Sequence, residues 1–544
     1  MRSIRGRHAP YGRPGTAALA LLVAACVAFC APARAQLAGS NLLIGQLGNW
    51  PPSLNGRGTP DRESFYDRLD IQWLSGSLMA GARFETDRNS DAGRQDQFEY
   101  EGFTRRFVDW SDAGLHLRVG NVTTILGRGL VHRSFEIPGV VLEETGFRTR
   151  YTPMRDVDGA LAELERGPVS VRALAGAPSE GTVSLAKERV LGTPRHEGHI
   201  AGGQVALSLP RRARVGAAVL RSPGGVDPAT GLPRQHSVAS GFAELDPVRA
   251  LGVEGPSLPT YVEYAQEDRT FGQWWSLAHT DRTPHALYAG TNLLWGPVTL
   301  SLEWKDYAQF RLGTNDPPSL VREHTAVLLN RSTHVLLATR EEGYQAELSW
   351  SPRDWATLIV NRSRADGARG DRFQEAFAEL RLAPGAGELW EGSVFVDRAS
   401  DSAVAVTRRD TYGFVATARW NRRWAATLDV ERQTAERVGF IAATSSIGLA
   451  RFEDVHLSLT ASLADAGSLG FAWDRTTDDL DPSWDFGRTG ALHLVGWNAS
   501  ARIAERHEAT LFLGKRRGGL ACTAGTCYQV LPFEGAELRL VSRF

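Results

Sequence analysis

Two stretches of this 544-residue chain concentrate side chains that could bind or guide a charged solute. The first combines charges of both signs with Gly127, Gly129 and Gly139, which permit sharp bends of the backbone. Its charged residues are Arg128, Arg133, Glu136, Glu143, Glu144, Arg148 and Arg150. Such a segment suits a wall or inward-folded loop that lines an aqueous lumen. It forms either a constriction that selects solutes or a set of ion pairs that brace the wall, and the pairing of opposite charges favours bracing.

The second stretch, residues 317–337, begins with Pro317 and Pro318 and mixes apolar and ionic side chains without the period of a strand. Its polar members are Arg322, Glu323, His324, Asn330, Arg331 and His334. We expect this segment to fold into the interior as a partial plug or to lie over one end. Histidine and glutamate are acid–base residues, but no triad-like serine or aspartate and no G-x-S-x-G motif accompanies them. The sequence therefore predicts no catalytic residue.

Three further groupings contain residue types that can bind a metal ion. His196 and His199 are three residues apart before a strand, whereas the H-E-x-x-H zinc motif needs a spacing of four on a helix. Cys522 and Cys527 are the cysteines expected to remain after export; we expect them to form a disulfide, since zinc would need two more ligands. An acidic loop lacks EF-hand spacing; it contains Asp474, Asp478, Asp479, Asp481 and Asp485. The sequence therefore predicts neither a metal nor a cofactor.

The amino terminus has the features of an export signal. Four arginines precede the apolar run of residues 16–29, and Ala33-Arg34-Ala35 supplies a cleavage site, so residues 1–35 are predicted to be a signal peptide. Small residues before Cys26 also fit a lipidation pattern, and that alternative stays open. No later segment approaches the roughly 20 apolar residues of a membrane helix. Loss of the signal's arginines leaves a mildly acidic chain, which argues against a nucleic-acid partner.

Short runs of alternating polarity come in pairs around polar turns, the period of β-strands. One run places Val298, Leu300, Leu302 and Trp304 on one face and Thr299, Ser301, Glu303 and Lys305 on the other. Two further pairs of runs flank turns at residues 351–354 and 421–423. About 20 to 24 such runs occur between residue 67 and the carboxyl terminus.

Tryptophans distinguish a membrane barrel from a soluble sandwich, which would also alternate. Trp350 with Trp355 and Trp420 with Trp424 bracket their turns, as in the aromatic girdle of a membrane interface. The chain ends in Phe544 on an alternating strand, similar to the terminal strand that the barrel-assembly machinery of Gram-negative bacteria recognises. We therefore predict an all-β protein, a single large antiparallel transmembrane β-barrel.

The predicted layout has three parts. Residues 1–35 form the signal peptide, residues 36–66 an N-terminal periplasmic or lumenal extension, and residues 67–544 the outer-membrane barrel. Short turns are expected on the periplasmic side and longer loops on the outer side. The long interruptions at residues 221–236, 244–259 and 476–488 are predicted to be outer loops.

Three stretches together resemble a family of large, functionally uncharacterised outer-membrane β-barrel proteins of Gram-negative bacteria. The first is residues 120–136, with Gly120-Asn121 and Gly127-Arg128-Gly129-Leu130. The second runs from residue 315 through Arg322-Glu323-His324 and Asn330-Arg331 to Tyr344, and the third is residues 518–544 with both cysteines. The resemblance implies the barrel fold and an outer-membrane location. It implies no reaction.

The functional expectation is a porin-like passive channel or a conduit that binds small polar solutes. The alternative is a structural or surface-binding barrel with a plugged lumen, and an outer-membrane hydrolase ranks third. The candidate lumen charges are Arg128, Arg133, Glu136, Arg148, Arg322, Glu323, His324 and Arg331. The expected partners are outer-membrane lipid and the barrel-assembly machinery, with Phe544 as its signal.

Overall fold

The computed structural model describes residues 35–50, 59–89, 100–136, 154–179, 198–226, 233–268, 284–310, 314–335, 340–368, 370–384, 389–441, 446–464, 466–481, 490–523, 526–530 and 532–544. The predicted signal peptide, apart from Ala35, lies outside these residues, as does Arg148. The side chains of Cys522 and Cys527 also lie outside the description, although their backbones face each other across a short hairpin.

Twenty-four antiparallel strands form one closed sheet, in which the first strand pairs with both the second and the last. The first part of the wall is β1 (Gln36–Trp50), β2 (Thr59–Ser75), β3 (Leu78–Asn89), β4 (Tyr100–Asp112), β5 (Leu115–Val122), β10 (Val157–Arg166), β11 (Val169–Pro178), β12 (Ile200–Leu209), β13 (Ala213–Val226), β14 (Pro233–Leu245), β15 (Thr260–Asp268) and β16 (His285–Trp295).

The second part of the wall is β17 (Val298–Ala308), β18 (Arg340–Arg353), β19 (Ala356–Gly367), β20 (Arg372–Leu382), β21 (Trp390–Asp401), β22 (Val406–Arg419), β23 (Trp424–Ile441), β24 (Ser446–Leu463), β25 (Gly467–Thr476), β26 (Leu492–Ile503), β27 (His507–Arg516) and β30 (Phe533–Arg543). Short strands lie in the connections: β6 (Ile125–Leu126), β7 (His132–Arg133), β8 (Phe135–Glu136), β9 (Met154–Arg155), β28 (Gly519–Thr523) and β29 (Thr526–Val530). Short helices span Pro210–Arg212, Pro247–Ala250, Val327–Asn330 and Ser402–Val404.

Alternation along each strand separates an apolar outer surface from a polar interior. On β22 the rings of Tyr412 and Phe414 are exposed on the outside, whereas Thr411 is fully buried inside. On β23 Asp429 and Glu431 are likewise buried, on the face predicted to be polar. The prediction of a large antiparallel β-barrel is confirmed, with 24 strands at the upper limit of the expected range.

Exposed tryptophans lie along the part of the short-turn rim that β16 to β23 form. They are Trp295, Trp350, Trp355, Trp390, Trp420 and Trp424, and each lies at or near the end of its strand. Tryptophan favours the headgroup level of a bilayer because its ring is apolar and its N–H is polar. Across the described residues, none of the helices has the length and apolar character needed to cross a membrane.

Turns of two residues, such as 76–77, 113–114 and 296–297, join strands at one rim, and long connections such as 123–156 and 309–339 lie at the other. The predicted division into short turns and longer loops is therefore correct. The prediction for residues 244–259 is wrong, because this connection lies at the short-turn rim. Successive connections of an antiparallel barrel lie at alternate rims. One strand missed or added in the preceding sequence therefore assigns a connection to the wrong rim. Here Asp246 caps the helix Pro247–Ala250 and accepts a hydrogen bond from Ser257 at 2.6 Å.

The prediction that residues 36–66 form an extension is also wrong. Residues 36–50 form β1, which pairs along its length with β2 and β30 and closes the barrel. Leu42 and Ile44 face inward and pack against Tyr66 on β2. Because Leu42 and Ile44 place apolar side chains on the inward face, the sequence here lacks the polar alternation that marks the other strands.

Phe544 lies at the seam between the last strand and the first. Its backbone N–H donates to the Gly39 carbonyl at 3.0 Å, and the Gly39 N–H donates back at 2.9 Å. A Cβ at Gly39 would lie 2.3 Å from the Phe544 ring, so glycine provides the space that the ring occupies.

We expect deletion of Phe544 to lower the amount of assembled barrel severalfold without changing export. The deletion removes two hydrogen bonds of the seam and the aromatic residue expected to carry the assembly signal. Assembled protein is measured as the fast-migrating band of unheated samples. Phe544→Ala keeps the backbone bonds, so a lower yield from both variants supports the signal role. Full assembly of the alanine variant would restrict the role of Phe544 to closing the seam.

Candidate functional site

Two of the long connections fold into the barrel. We define lumenal loop 1 as residues 123–136, between β5 and β10, and lumenal loop 2 as residues 314–335, between β17 and β18. Loop 1 reaches from Arg83 on β3 to Glu263 on β15. Loop 2 reaches Glu431 on β23 and the carbonyl of Gly518, beyond β27. Together the two loops extend across both halves of the lumen.

An apolar core inside the barrel holds lumenal loop 1 in place. Leu126, Leu130 and Val131 are fully buried in a cluster with wall residues such as Leu161 and Ile200. Complete burial of a side chain of this size contributes about 1.5–3 kcal/mol. Loop 1 is thus packed as firmly as an ordinary protein core, which the polar sequence of this region did not indicate.

The tip of loop 1 is held against β12 and β15 of the wall by backbone hydrogen bonds. The Gly127 N–H donates to Gln204 at 2.8 Å, and the Arg128 N–H donates to Glu263 at 2.7 Å. Gly127 has a φ of 63°, and a Cβ there would lie 1.9 Å from a Glu263 oxygen. A side chain cannot be accommodated, so this glycine is required for the loop to approach the wall.

The two lumenal loops contact each other directly. Arg133 forms a 2.6 Å ion pair with Asp316, and the Asp316 N–H donates to the Gly129 carbonyl at 3.1 Å. The Arg133 N–H also donates to the Thr314 carbonyl at 3.1 Å. Gly129 has a φ of 90°, and a Cβ there would lie 2.6 Å from the carbonyl oxygen of Asp316. The two loops are therefore joined inside the barrel by an ion pair and by backbone hydrogen bonds.

Other predicted charges connect the loops to the wall. Glu136 accepts ion pairs from Arg83 at 2.8 Å and from Arg105 at 2.9 Å. Arg322 pairs with Glu347 on β18 and lies over the ring of Phe377 at 4.7 Å. Each pair removes charges from water in a partly or fully buried setting, so loss of one partner would leave a charge without compensation.

The helix Val327–Asn330 in loop 2 is anchored at both ends. The N–H groups of Val327 and Leu328 donate to the two oxygens of Glu431, at 2.7 and 2.8 Å. After the helix, Arg331 donates to the Gly518 carbonyl at 2.5 Å. A carboxylate at a helix N-terminus satisfies N–H groups that have no partner within the helix.

Two lumenal histidines, His334 and His132, differ in protonation at neutral pH. Burial lowers the pKa of His334, but hydrogen bonds to Asp401 at 2.7 Å and Glu341 at 3.4 Å outweigh it and raise the pKa to about 9. Burial and the charge of Arg155 lower the pKa of His132 to about 3. At neutral pH, loop 2 therefore holds a histidinium and loop 1 a neutral histidine.

A cavity of about 850 Å³ lies on the short-turn side of the contact between the loops. Its lining includes Arg128, Arg172, Arg214, Tyr261, Tyr288 and Glu303. Glu323 of loop 2 also faces this cavity, as does Arg133. Side chains of both charges can therefore contact a polar solute of moderate size, whereas the hydroxyls of Tyr261 and Tyr288 donate to Glu263 and Glu303.

Two arginines of this cavity lack a carboxylate partner. Arg128 lies over the Tyr261 ring at 4.7 Å, and Arg214 lies 5.9 Å from the centre of Phe242 and donates to Ser170 at 3.2 Å. Within the described part of the chain, no carboxylate lies within 4 Å of either guanidinium. These two cations can bind an anionic group of a solute without breaking an existing ion pair.

Loop 2 separates two smaller cavities. One of about 470 Å³ lies toward the short turns and is lined by Arg322, His324 and Glu379. The other, of about 290 Å³, lies toward the long connections and is lined by Arg331 and Asp481. The loop is therefore a partition across this half of the lumen.

Some cavity residues were absent from the sequence prediction. Arg172, Arg214 and Tyr261 lie on β11, β13 and β15, which are distant from both charged stretches. The one sequence signal for these residues is that each occupies an inward-facing position in the alternation of its strand. Every other inward-facing residue of the barrel gives the same signal. Arg128, Arg133 and Glu323 of the predicted set do line the cavity.

No family model and no curated protein match this sequence. Solved structures with similar architecture include the translocation pore of the P pilus usher PapC, at 10% identity and a TM-score of 0.45 over 94% of this chain and 99% of that one. OpdO of Pseudomonas aeruginosa is similar at 12% identity and 0.40, over 70% of this chain and 96% of OpdO. A BenF-like porin from Pseudomonas fluorescens is similar at 7% identity and 0.39, over 70% and 98% of the two chains.

Proposed function

We propose that the protein is an outer-membrane channel for small polar solutes, with a lumen narrowed by the two lumenal loops. The observation that carries this proposal is the 850 Å³ cavity, in which Arg128 and Arg214 have no carboxylate partner among the residues that the structure describes. Arg128 is exposed in the cavity and Arg214 is partly exposed, so both cations are accessible to a solute that enters the lumen. The short-turn rim is assigned to the periplasm, as in other membrane barrels.

The proposed partners follow from the surfaces of the molecule. The apolar outer wall and its tryptophan girdle fit membrane lipid, and Phe544 fits the barrel-assembly machinery. The cavity fits solutes that carry a carboxylate or another small anionic group, which arginine binds through two hydrogen bonds. The proposal involves no chemical reaction, no cofactor and no nucleic acid.

A plugged scaffold is the second candidate function. Lumenal loop 1 buries Leu126, Leu130 and Val131, and the contact between the loops includes the ion pair of Arg133 with Asp316. Such packing has the density of a protein interior, which leaves few voids. In this case the long connections would serve as a binding surface at the outer rim.

Ion selectivity in a planar bilayer tests the channel. Arg128→Ala should shift the reversal potential toward cation preference, because the variant removes an exposed positive charge from the cavity. The control is Arg423→Ala, which removes the same charge from an exposed turn outside the cavity. An effect of the Arg128 variant alone supports the proposal. If the protein conducts and neither variant changes its ion selectivity, the ions pass elsewhere. If the wild type and both variants do not conduct, the scaffold is favoured.

A further inference from the structure

Three buried side chains from separate segments converge behind lumenal loop 2. His324 belongs to the loop, Glu375 to β20 and Asp397 to β21. One nitrogen or carboxylate oxygen from each residue lies within 4.8 Å of the others. At most 2% of each of these side chains is exposed.

Each of the three has a polar atom without a hydrogen-bond partner in the described part of the chain. These atoms are His324 Nε2, Glu375 Oε2 and Asp397 Oδ1, all completely buried. Buried polar atoms without partners are rare in folded proteins because their desolvation is not compensated. A ligand shared by the three residues would provide these atoms with a partner.

Arg409 on β22 holds the other oxygens of the two carboxylates. Its Nη2 lies 2.9 Å from Glu375 Oε1 and 3.0 Å from Asp397 Oδ2. Each carboxylate is therefore oriented by one oxygen, and its second oxygen stays available. Metal ligands are commonly oriented by such a hydrogen bond from a neighbouring group.

We propose that His324, Glu375 and Asp397 bind a divalent transition-metal ion, with Zn²⁺ as the best fit, and that this ion pins lumenal loop 2 to the barrel wall. An imidazole nitrogen favours Zn²⁺ over Mg²⁺ or Ca²⁺, which prefer oxygen ligands. Two carboxylates and one imidazole make three of the four ligands of a zinc site, and water completes it. With Arg409 the cluster has a charge of −1 when His324 is neutral, so a dication finds a favourable potential.

The competing explanation is a protonated His324 that pairs directly with Glu375, from which its Nε2 is 3.3 Å away. That arrangement needs no metal. It still leaves Asp397 Oδ1 and Glu375 Oε2 without partners. The competing explanation therefore accounts for one of the three atoms.

Metal content of the purified full-length barrel tests the proposal. The untagged protein is treated with a chelator, equilibrated with Zn²⁺, freed of excess metal and measured by mass spectrometry, and affinity is measured by titration. We expect the wild type to bind one Zn²⁺ per chain. Asp397→Asn and His324→Gln should each abolish zinc binding or weaken the affinity by roughly tenfold or more, because even the loss of a group that orients a ligand has an effect of that size. Glu379→Gln is the matched control, because this carboxylate lies on the same strand as Glu375 and pairs with Arg381 and Arg322, neither of which belongs to the cluster.

Equal zinc binding by wild type and by both ligand variants would overturn the proposal, as would the absence of bound zinc from a wild-type barrel that is assembled. If Asp397→Asn fails to assemble, His324→Gln decides the outcome, since it changes the loop and leaves the wall intact. Metal content does not depend on conductance. The metal site and the channel can therefore fail independently of each other.

Discussion

Replacing residues 317–335 of lumenal loop 2 with a short Gly/Ser linker is expected to raise single-channel conductance severalfold and to admit larger solutes. The linker removes the partition between the cavities of about 470 and 290 Å³. The wall is expected to stay assembled because β17 and β18 keep their register from Ala308 opposite Arg340 to Val298 opposite Trp350. Wall charges such as Glu431, which the loop now covers, would be hydrated by water in the opened lumen.

The control for this experiment is a Gly/Ser replacement in a connection at the short-turn rim. Residues 251–255 form an exposed part of a connection at the short-turn rim, where Leu251 is 82% exposed. Their replacement with Gly/Ser should leave conductance unchanged. If conductance stays low after loop 2 is removed, while the unheated protein still migrates as an assembled barrel, the lumen is closed by other residues and the channel proposal fails.

Raising the pH from 6.5 to above 9 is expected to release lumenal loop 2. The pKa of His334 is about 9 in the folded barrel, above the ordinary value of 6.5. The stabilisation from protonated His334 is therefore complete below pH 6.5 and is lost as the pH rises through 9. A shift of this size corresponds to on the order of 3 kcal/mol. Hydrogen exchange of peptides from residues 325–335, corrected for the intrinsic pH dependence, should accelerate over this range.

Loop 1 supplies an internal control for the pH experiment. His132 has a pKa of about 3, so it is neutral at every pH used, and its stabilisation is lost only as the pH falls below 6.5. Peptides from residues 126–134 should therefore keep their protection from pH 6.5 to 9.5. The variant His334→Gln should remove the pH dependence of loop 2. Equal acceleration in both loops would indicate general loosening of the barrel and would contradict the role of His334.

Local sequence pattern predicted most of the barrel wall. A strand between lipid and lumen must alternate, so the faces of β17 and β22 and the turn between Trp420 and Trp424 follow from neighbouring residues alone. β1 escaped this rule because Leu42 and Ile44 pack inside the barrel. The rim of residues 246–259 depended on counting every preceding strand, which is a property of the whole chain.

The sequence predicted which charged residues the candidate site contains. It did not predict which of these residues contact each other. The described parts of both charged stretches lie in the lumen, where Arg133 of the first stretch pairs with Asp316, one residue before the second, across 183 positions. The closure of the sheet determines which wall residues face a loop. Glu375 and Asp397 therefore meet His324 through barrel geometry, and no spacing motif marks them.

The contact of Gly129 with Asp316 also constrains the order of folding. The two lumenal loops leave the wall eight strands apart, which is roughly 40 Å along a flat sheet. They can meet only after the sheet has curled, so their contact forms late and with high contact order. Interactions absent from the folding transition state mainly slow unfolding. Disrupting this contact, for example by Gly129→Ala, should therefore shorten the lifetime of the finished barrel and leave its rate of formation nearly unchanged.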